Sequence, residues 1–347
     1  MKKKDSWLAV NLSMFFPGLG QFYARKDTKG IFFLLSQLIL VSFALWSFLD
    51  ARGNTLTGIG LLLAIATLYL VNIFDAHASV FQDNFREEKI PRNNKNPWFA
   101  VFLTRILPGL GQLYNHQSLA AILFLSVTIF LAIADDVFLT LGMLTPIIGA
   151  IATYHAYTTF PKEKKVAGRA IVAIFAVLVL ISGVASKYSF VWLETRIERF
   201  QIPSLSMYPT LQVGDKILVH KAKNYLPQTG DLIVFKEPPK AAELDTQSGN
   251  EKQEYYIKRI IATPGQKINI NNGQVYINDR ALQEDYLTED IFYQWGPQTV
   301  PDGTYFVLGD NRNHSFDSHV WGFLPAKSII GKAYKIYWPP QRIMPLN

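Results

Sequence analysis

The 347-residue sequence contains no cysteine. Disulfides and thiolate metal sites are therefore excluded, and any extracytoplasmic domain is stable from its core alone. Charge is scarce from Trp7 to about Trp192, where Leu, Ile, Val, Ala and Phe form long runs. A concentrated basic face is also missing despite a formal net charge of +7. The basic stretches Lys2 to Lys4, Arg25 and Lys26, Arg86 to Lys95, and Lys162 to Lys165 instead flank apolar runs. They read as topology signals, so no nucleic-acid partner is expected. No small-x-small site follows the basic start, and further apolar runs continue, so this start is not read as a cleaved leader. No Gly-x-Ser-x-Gly occurs around a serine, and no Gly-rich segment ends in the Lys-Ser/Thr of a phosphate-binding loop.

What is present divides into two halves: a membrane-embedded one, and from Thr195 onward a mixed, water-soluble one. Ile31 to Leu49 and Leu56 to Phe74 are free of charge. Each is about 19 residues, enough to cross a hydrocarbon core at roughly 1.5 Å per residue. They predict a helical hairpin. Pro17-Gly18-Leu19-Gly20-Gln21-Phe22-Tyr23 recurs 91 residues later as Pro108-Gly109-Leu110-Gly111-Gln112-Leu113-Tyr114. Each copy precedes two apolar runs, the second pair being Ser118 to Ala134 and Val137 to Tyr157, so a module has been duplicated. The last run, Arg169 to Trp192, has no partner.

If both Pro-Gly-broken segments span, there are seven crossings; if neither does, there are five. Five crossings put Lys2 to Lys4, Arg25 to Lys29, Arg86 to Lys95 and Lys162 to Arg169 on one face and Asp135 and Asp136 on the other. The positive-inside rule selects five, with the broken segments interfacial or re-entrant. Either odd count leaves the carboxyl half outside the cytoplasm. The repeated motif resembles the short membrane module called TM2-like, and a packing role around small residues is the preferred reading. His77 and His155 lack the companions a metal needs.

Beyond Trp192, short β-branched strings alternate with turn signals such as Thr263-Pro264-Gly265, Asn271-Asn272-Gly273 and Asp302-Gly303. They predict a mostly β domain, with residues 237–254 as an exposed insertion loop. Gln201 to Asp215 carries Ser204 and Ser206 beside Pro203, Met207 and Pro209, which no helix or central strand tolerates. A serine hydroxyl needs a base to become nucleophilic. His220, His314 and His319 are not in a familiar triad arrangement. Lysine serves if neutral, and Lys258 lies inside Tyr255-Tyr256-Ile257 and Ile260-Ile261, where burial lowers its pKa. The competing reading is a strand-edge lysine paired with a surface acid. Alternation turns Lys258 and Arg259 to opposite faces.

Four segments in order, Ser204 to Leu211, Gly230 to Phe235, Tyr256 to Gly265 and Gly309 to Gly322, resemble type I signal peptidases, the Ser-Lys proteases that remove secretory signal peptides. The resemblance covers roughly Thr195 to Trp338. It implies Ser206 as nucleophile, Lys258 as general base, Ser315 as the hydroxyl orienting the lysine, Ser204 as an oxyanion donor and Asp317 as a scaffold acid. Ile202 and Ile257 are candidates to line substrate pockets, and Met207 and Tyr208 to rest on lipid. No metal or cofactor is expected. Two departures stand out: His319 where the family often has Arg, and Gln266 where it often has Asp.

The expectation is thus a multi-domain membrane protein: an α-helical transmembrane half of about five spans, then a mostly β signal-peptidase-like catalytic domain. Its domains are 1–96 and 97–165 as two TM2-like copies, 166–194 as an anchor and 195–347 as the protease. Signal-peptide-bearing precursors and the lipid bilayer are expected partners, and the translocation machinery is a candidate one. The expected location is the bacterial cytoplasmic membrane, multi-pass, with catalysis on the extracytoplasmic side. Alternatives are a Ser-Lys peptidase with a narrow maturation target, an inactive scaffold, and a channel; the last is disfavoured by the few ionisable residues within the spans.

Overall fold

The computed structural model describes residues 4–85, 95–134, 144–160, 169–221, 225–248 and 254–346. Most of the basic stretches Arg86 to Lys95 and Lys162 to Lys165, together with Asp135, Asp136 and the start of the run Val137 to Tyr157, lie outside the described residues. The chain divides into two compact units, Met1–Ala44 with Ile59–Trp192, and Leu45–Gly58 with Leu193–Asn347.

The first unit is helical. Helices α1 (Ser6–Ser13) and α2 (Leu19–Tyr23) form the first broken segment, followed by α3 (Asp27–Leu49) and α4 (Thr55–Phe85). The pattern returns as α5 (Pro97–Ile106), α6 (Leu110–Tyr114), α7 (Ser118–Ala134) and α8 (Thr145–Thr158), and α9 (Arg169–Arg196) follows. Among the described residues three helices are long and apolar enough to cross a membrane: α3, α4 over Thr55–Phe81, and α9. Helices α5 and α7 are apolar but shorter.

The repeated motif has a local physical explanation in both copies. Gly18 and Gly109 break the helix at φ +95 and +112, a region closed to most side chains. The next turn then packs back on the first helix. A Cβ at Gly20 would lie 2.3 Å from the Ala9 carbonyl oxygen, and one at Gly111 would lie 2.1 Å from that of Ala100. The glutamine amide crosses to the hairpin, Gln21 donating to Asn72 O at 3.0 Å and Gln112 to Ala152 O at 2.9 Å. The tyrosine hydroxyl accepts a backbone N–H at the start of its module, from Asp5 in one copy and Asn96 in the other. Asp5 and Asn96 are the N-caps of α1 and α5, each satisfying two helix-start N–H groups. The copies also meet directly, Asn96 Nδ2 donating to Asp5 Oδ2 at 2.8 Å and Asn11 Nδ2 to Trp98 O at 2.9 Å.

In the second unit α9 ends at Arg196 and β1 (Ile197–Gln201) begins at the next residue. Then come β2 (Lys216–His220), β3 (Leu232–Lys236), α10 (Pro239–Ser248), β4 (Tyr255–Ala262), β5 (Lys267–Asn271), β6 (Gln274–Ile277), β7 (Arg280–Ala281), β8 (Trp295–Thr299) and β9 (Thr304–Leu308). The order closes with α11 (Ser318–Trp321), β10 (Leu324–Pro325), β11 (Ile329–Trp338) and β12 (Met344–Pro345). One sheet runs β1-β2-β11-β3-β4-β9-β10 with β12 on β11, and a second runs β7-β6-β5-β8. Strand β4 is the hub. Ile257 joins one apolar cluster, Tyr256 and Ile260 a second, and Ile261 and Ala262 a third. A strand buried on both faces holds its residues against little freedom of movement.

The expectation of an exposed insertion loop at residues 237–254 is corrected over residues 239–248, while residues 249–253 lie outside the described residues. Pro239–Ser248 forms α10, whose Ala241 is fully buried in the second cluster with Leu244 packed against it.

Gly111→Ala is expected to destabilise the helical unit by about 1–3 kcal/mol through overpacking, whereas Gly60→Ala, with no atom within 4 Å of the added Cβ, should not. Thermal unfolding of both variants in detergent checks this.

Candidate active site

The serine loop is held at both ends before its hydroxyls matter. Ile202 N donates to Asp215 O at 2.8 Å and Gly214 N to Ile202 O at 2.9 Å. The Arg342 guanidinium binds the buried Asp215 carboxylate through Nε and Nη2 at 2.8 and 2.9 Å and also reaches Thr210 O. Ile202, Met207 and Leu211 drive the loop into the core. Met207 is fully buried, so its expected placement on lipid is overturned: its side chain fills the space beneath the serines. Leu205, Tyr208 and Val213 are the exposed apolar residues of this stretch. The Ser204 hydroxyl donates to Ser206 Oγ at 3.3 Å.

Strand β4 brings two cations to this loop. Lys258 is 3% exposed, inside the sheet between β3 and β9, and its Nζ lies 2.7 Å from Ser206 Oγ. Burial pulls the ammonium pKa down to about 8, against a smaller upward pull from Asp317 and Asp310. Among the described residues Lys258 forms no ion pair. Arg259, also buried, binds Asp310 through Nε at 2.8 Å and Nη2 at 2.7 Å, donates to Gly230 O, and lies over the Tyr286 ring at 4.0 Å. Two adjacent buried cations thus have opposite environments, one fully paired and one left free to lose its proton.

The segment after β9 closes the site from the other side. Asn311 N donates to Ser206 O and Asn311 Nδ2 to Leu205 O, both at 3.1 Å. Thr210 Oγ1 donates to Asp310 Oδ2 at 2.5 Å, so Asp310 serves the lysine strand and the serine loop together. A Cβ on Gly309 would fall 2.2 Å from Ser315 Oγ and 2.3 Å from Ser206 O; only glycine admits this approach. Asp317 accepts from Gly309 N at 2.8 Å and from His319 N at 3.2 Å, and is 2.8 Å from His319 Nδ1. The His319 ring stacks on Tyr293. Gln266 accepts from Thr263 N at 2.8 Å and Thr263 Oγ1 at 3.1 Å, closing the turn where a shorter acid stands in the resembling family.

Ser204, Ser206 and Lys258 are therefore brought together, with Ile202 and Ile257 lining the same groove of about 660 Å³. Both isoleucines also belong to the core cluster beneath. Ser315 is not joined to the lysine: its buried Oγ has no hydrogen-bond partner among the described residues. Sequence reasoning missed Arg259 with Asp310 as a shared clamp, and Arg312, fully buried and paired with Glu284. It also missed His314 and Phe316 in the groove wall. Asp310, Arg312, His314 and Phe316 all stand inside the Gly309 to Gly322 motif, which was the available signal for them.

Residues 168–338 match the family described as signal peptidase, peptidase S26. The chain is 44% identical over 144 residues to signal peptidase I of Leptolyngbya laminosa, covering 41% of this chain and 69% of that protein. It is 48% identical over 143 residues to probable signal peptidase I-1 of Synechocystis sp., covering 41% and 71%. With the chloroplastic thylakoidal processing peptidase 1 of Arabidopsis thaliana, 42% identity over 144 residues covers 41% of this chain and 42% of the relative. A crystal structure of signal peptidase I from Enterococcus faecalis V583 matches at 32% identity, 31% coverage of this chain, 97% of that one and a TM-score of 0.26. The chain belongs to the signal peptidase family, peptidase S26, and is a hydrolase, a serine peptidase that cleaves signal peptides.

Because the folded Lys258 pKa lies near 8, below its ordinary 10.5, the unfolded chain binds more protons between those values and stability rises with pH across that window. Lys258→Met should flatten that rise in thermal melts. Asp310→Asn, which removes the carboxylate that the buried Arg259 guanidinium grips through two hydrogen bonds, should cost about 3–5 kcal/mol, read as a lowered unfolding temperature.

Proposed function

We propose that Ser206 is the nucleophile and Lys258 the general base of this peptidase. The observation that carries the reading is the 2.7 Å approach of a buried lysine Nζ to Ser206 Oγ, on an amine whose pKa falls to about 8. Neutral Lys258 takes the Ser206 proton as Oγ attacks the scissile carbonyl carbon. The resulting oxyanion receives hydrogen bonds from the Ser204 hydroxyl and the Ser206 backbone N–H. The Ser204 side chain swings from its 3.3 Å contact with Ser206 Oγ to the developing charge. The C–N bond then breaks, the departing amine takes the proton from Lys258, and an acyl ester remains on Ser206. Water, deprotonated by Lys258, hydrolyses that ester and frees the serine. Asp317 acts as the scaffold acid that holds the Gly309 N–H and His319. Ser315, beside Gly309, turns its unpartnered hydroxyl to the lysine when substrate fills the groove.

The substrates are precursors that carry signal peptides, bound extended with small side chains against Ile202 and Ile257. Neither the mechanism nor the groove calls for a metal or cofactor. Five spans, α3, α4, α7, the apolar run Val137 to Tyr157, and α9, anchor the catalytic half on the extracytoplasmic side of a bacterial cytoplasmic membrane. Exposed Leu205, Tyr208 and Val213 beside the serines support contact with lipid. The two TM2-like copies, 1–96 and 97–165, the anchor 166–194 and the protease 195–347 are the proposed functional domains. The translocation machinery is a proposed partner of the membrane half.

A cleavage assay on one signal-peptide-bearing precursor in detergent tests the reading. Ser206→Ala and Lys258→Ala should stay folded and membrane-inserted while losing at least about 10⁴-fold in turnover, and Ser204→Ala should lose about 10²–10³-fold. Wild-type turnover in either of the first two overturns the assignment.

A further inference from the structure

Lys335 is a buried cation that the chemistry does not use. It stands on β11, where the pairing with β2 slips between Ala333 and Lys335. Such a bulge re-aims the side chains that follow it. Ala333 and Ile336 both join the inner cluster while Lys335 does not. Lys335 is nonetheless fully buried. Its Nζ donates to Ser47 O at 2.9 Å, Phe48 O at 3.3 Å and Asp50 O at 2.9 Å.

Those three carbonyls belong to the last turn of α3 and the residues just after it, where a helix leaves its C=O groups unpaired and carries negative partial charge. A lysine there is a C-terminal cap supplied from a strand 285 residues further along the chain. Burial lowers the Lys335 pKa and the Asp50 charge raises it, and no carboxylate ion-pairs with it among the described residues. The segment it caps is compact. Asp50 Oδ1 accepts from Arg52 N, Asn54 Oδ1 accepts from Leu56 N at the start of α4, and a Cβ on Gly53 would lie 2.5 Å from Ser47 O. Ser47 and Thr55 are buried, and their hydroxyls have no hydrogen-bond partner among the described residues. Leu45–Gly58 falls in the same compact unit as Leu193–Asn347, although sequence reasoning had put it inside the first duplicated copy.

We propose that Leu45–Gly58 is a strap of the peptidase unit, latched by Lys335, which makes the first helical hairpin a second anchor of the catalytic sheet. The chain then enters this unit through residues 44, 59 and 193 rather than through the α9 anchor alone. The latch itself rests on geometry. Its consequence rests on the proposed peptidase function: a sheet held at several points presents the groove in a fixed way to a substrate that is itself held in a bilayer.

The absence of cysteine gives a clean reporter. Ser47→Cys places one thiol at a fully buried position whose hydroxyl has no hydrogen-bond partner among the described residues. In full-length protein in detergent micelles, a soluble maleimide should label this strap thiol slowly. Adding Lys335→Met should speed labelling about tenfold by local opening, and Lys335→Arg, which keeps a cation, should stay near the parent. In parallel, Ala262→Cys, buried in the separate third cluster, should remain protected in the Lys335→Met background. Unchanged labelling of the strap thiol overturns the latch, and so does exposure of both reporters together, which marks general unfolding. On the activity side, Lys335→Met should lower turnover of a vesicle-embedded precursor about fivefold while a soluble peptide is cleaved within about twofold of the parent. Equal losses on both substrates overturn the positioning role. Inactivity of the parent with the labelling contrast intact would count against the peptidase reading and for the latch.

Discussion

Everything in the catalytic half depends on one buried contact, the 2.7 Å approach of Lys258 Nζ to Ser206 Oγ. A lysine in water holds its proton at neutral pH and has nothing to accept with. Burial in β4 changes that, provided no carboxylate comes close enough to restore the charge. The neighbouring cation shows what the structure does with the acid that is present: Asp310 is fully engaged by the Arg259 guanidinium and by Thr210. Asp310, which with Asp317 exerts the upward pull on the Lys258 pKa, thus ties the lysine strand to the serine loop.

The same economy extends outward. Asn311 grips Ser206 O and Leu205 O, Gly309 lets that segment come within reach, and Asp317 holds Gly309 N. Arg342 fixes the far end of the serine loop through Asp215. Buried Asp310, Asp215 and Arg312 each have an opposite charge in contact, Arg259, Arg342 and Glu284 respectively, which is what burial demands. The two departures from the resembling family leave these contacts intact. His319 still reaches Asp317, now through an imidazole nitrogen at 2.8 Å, and Gln266 closes the Thr263 turn with a longer arm.

Much of this was legible from the residues. The strings Asp215 to His220 and Thr304 to Leu308 match β2 and β9 to within a residue, because each is an apolar run that follows a Gly-containing turn. Strand β8, Trp295–Thr299, with Gly296 and Pro297 inside it, carries no such pattern and was invisible. The helix at Pro239–Ser248 was missed because its sequence, PKAAELDTQS, is mostly polar and shows no apolar period. Ser206 with Lys258 was legible because motif spacing preserves chemistry. The Arg259 clamp on Asp310 was not, since pairing across 51 residues depends on strand register that no local pattern encodes. Lys335 was hidden for the same reason: a bulge, not an alternation, decides where it points. In the helical half the repeat was plain, and Gly20, Gln21 and Tyr23 with their partners in the second copy now have packing, bridging and capping tasks that account for the shared motif.

The most direct test of the central contact is covalent trapping of the serine across a pH series. A serine-directed electrophile is reacted with full-length protein in detergent, the adduct is mapped by mass spectrometry, and the rate is followed with pH. The account predicts a single adduct on Ser206 whose rate rises with a midpoint near 8, the pKa of buried Lys258. An adduct on another residue, or a midpoint at the ordinary lysine value of 10.5, would contradict it.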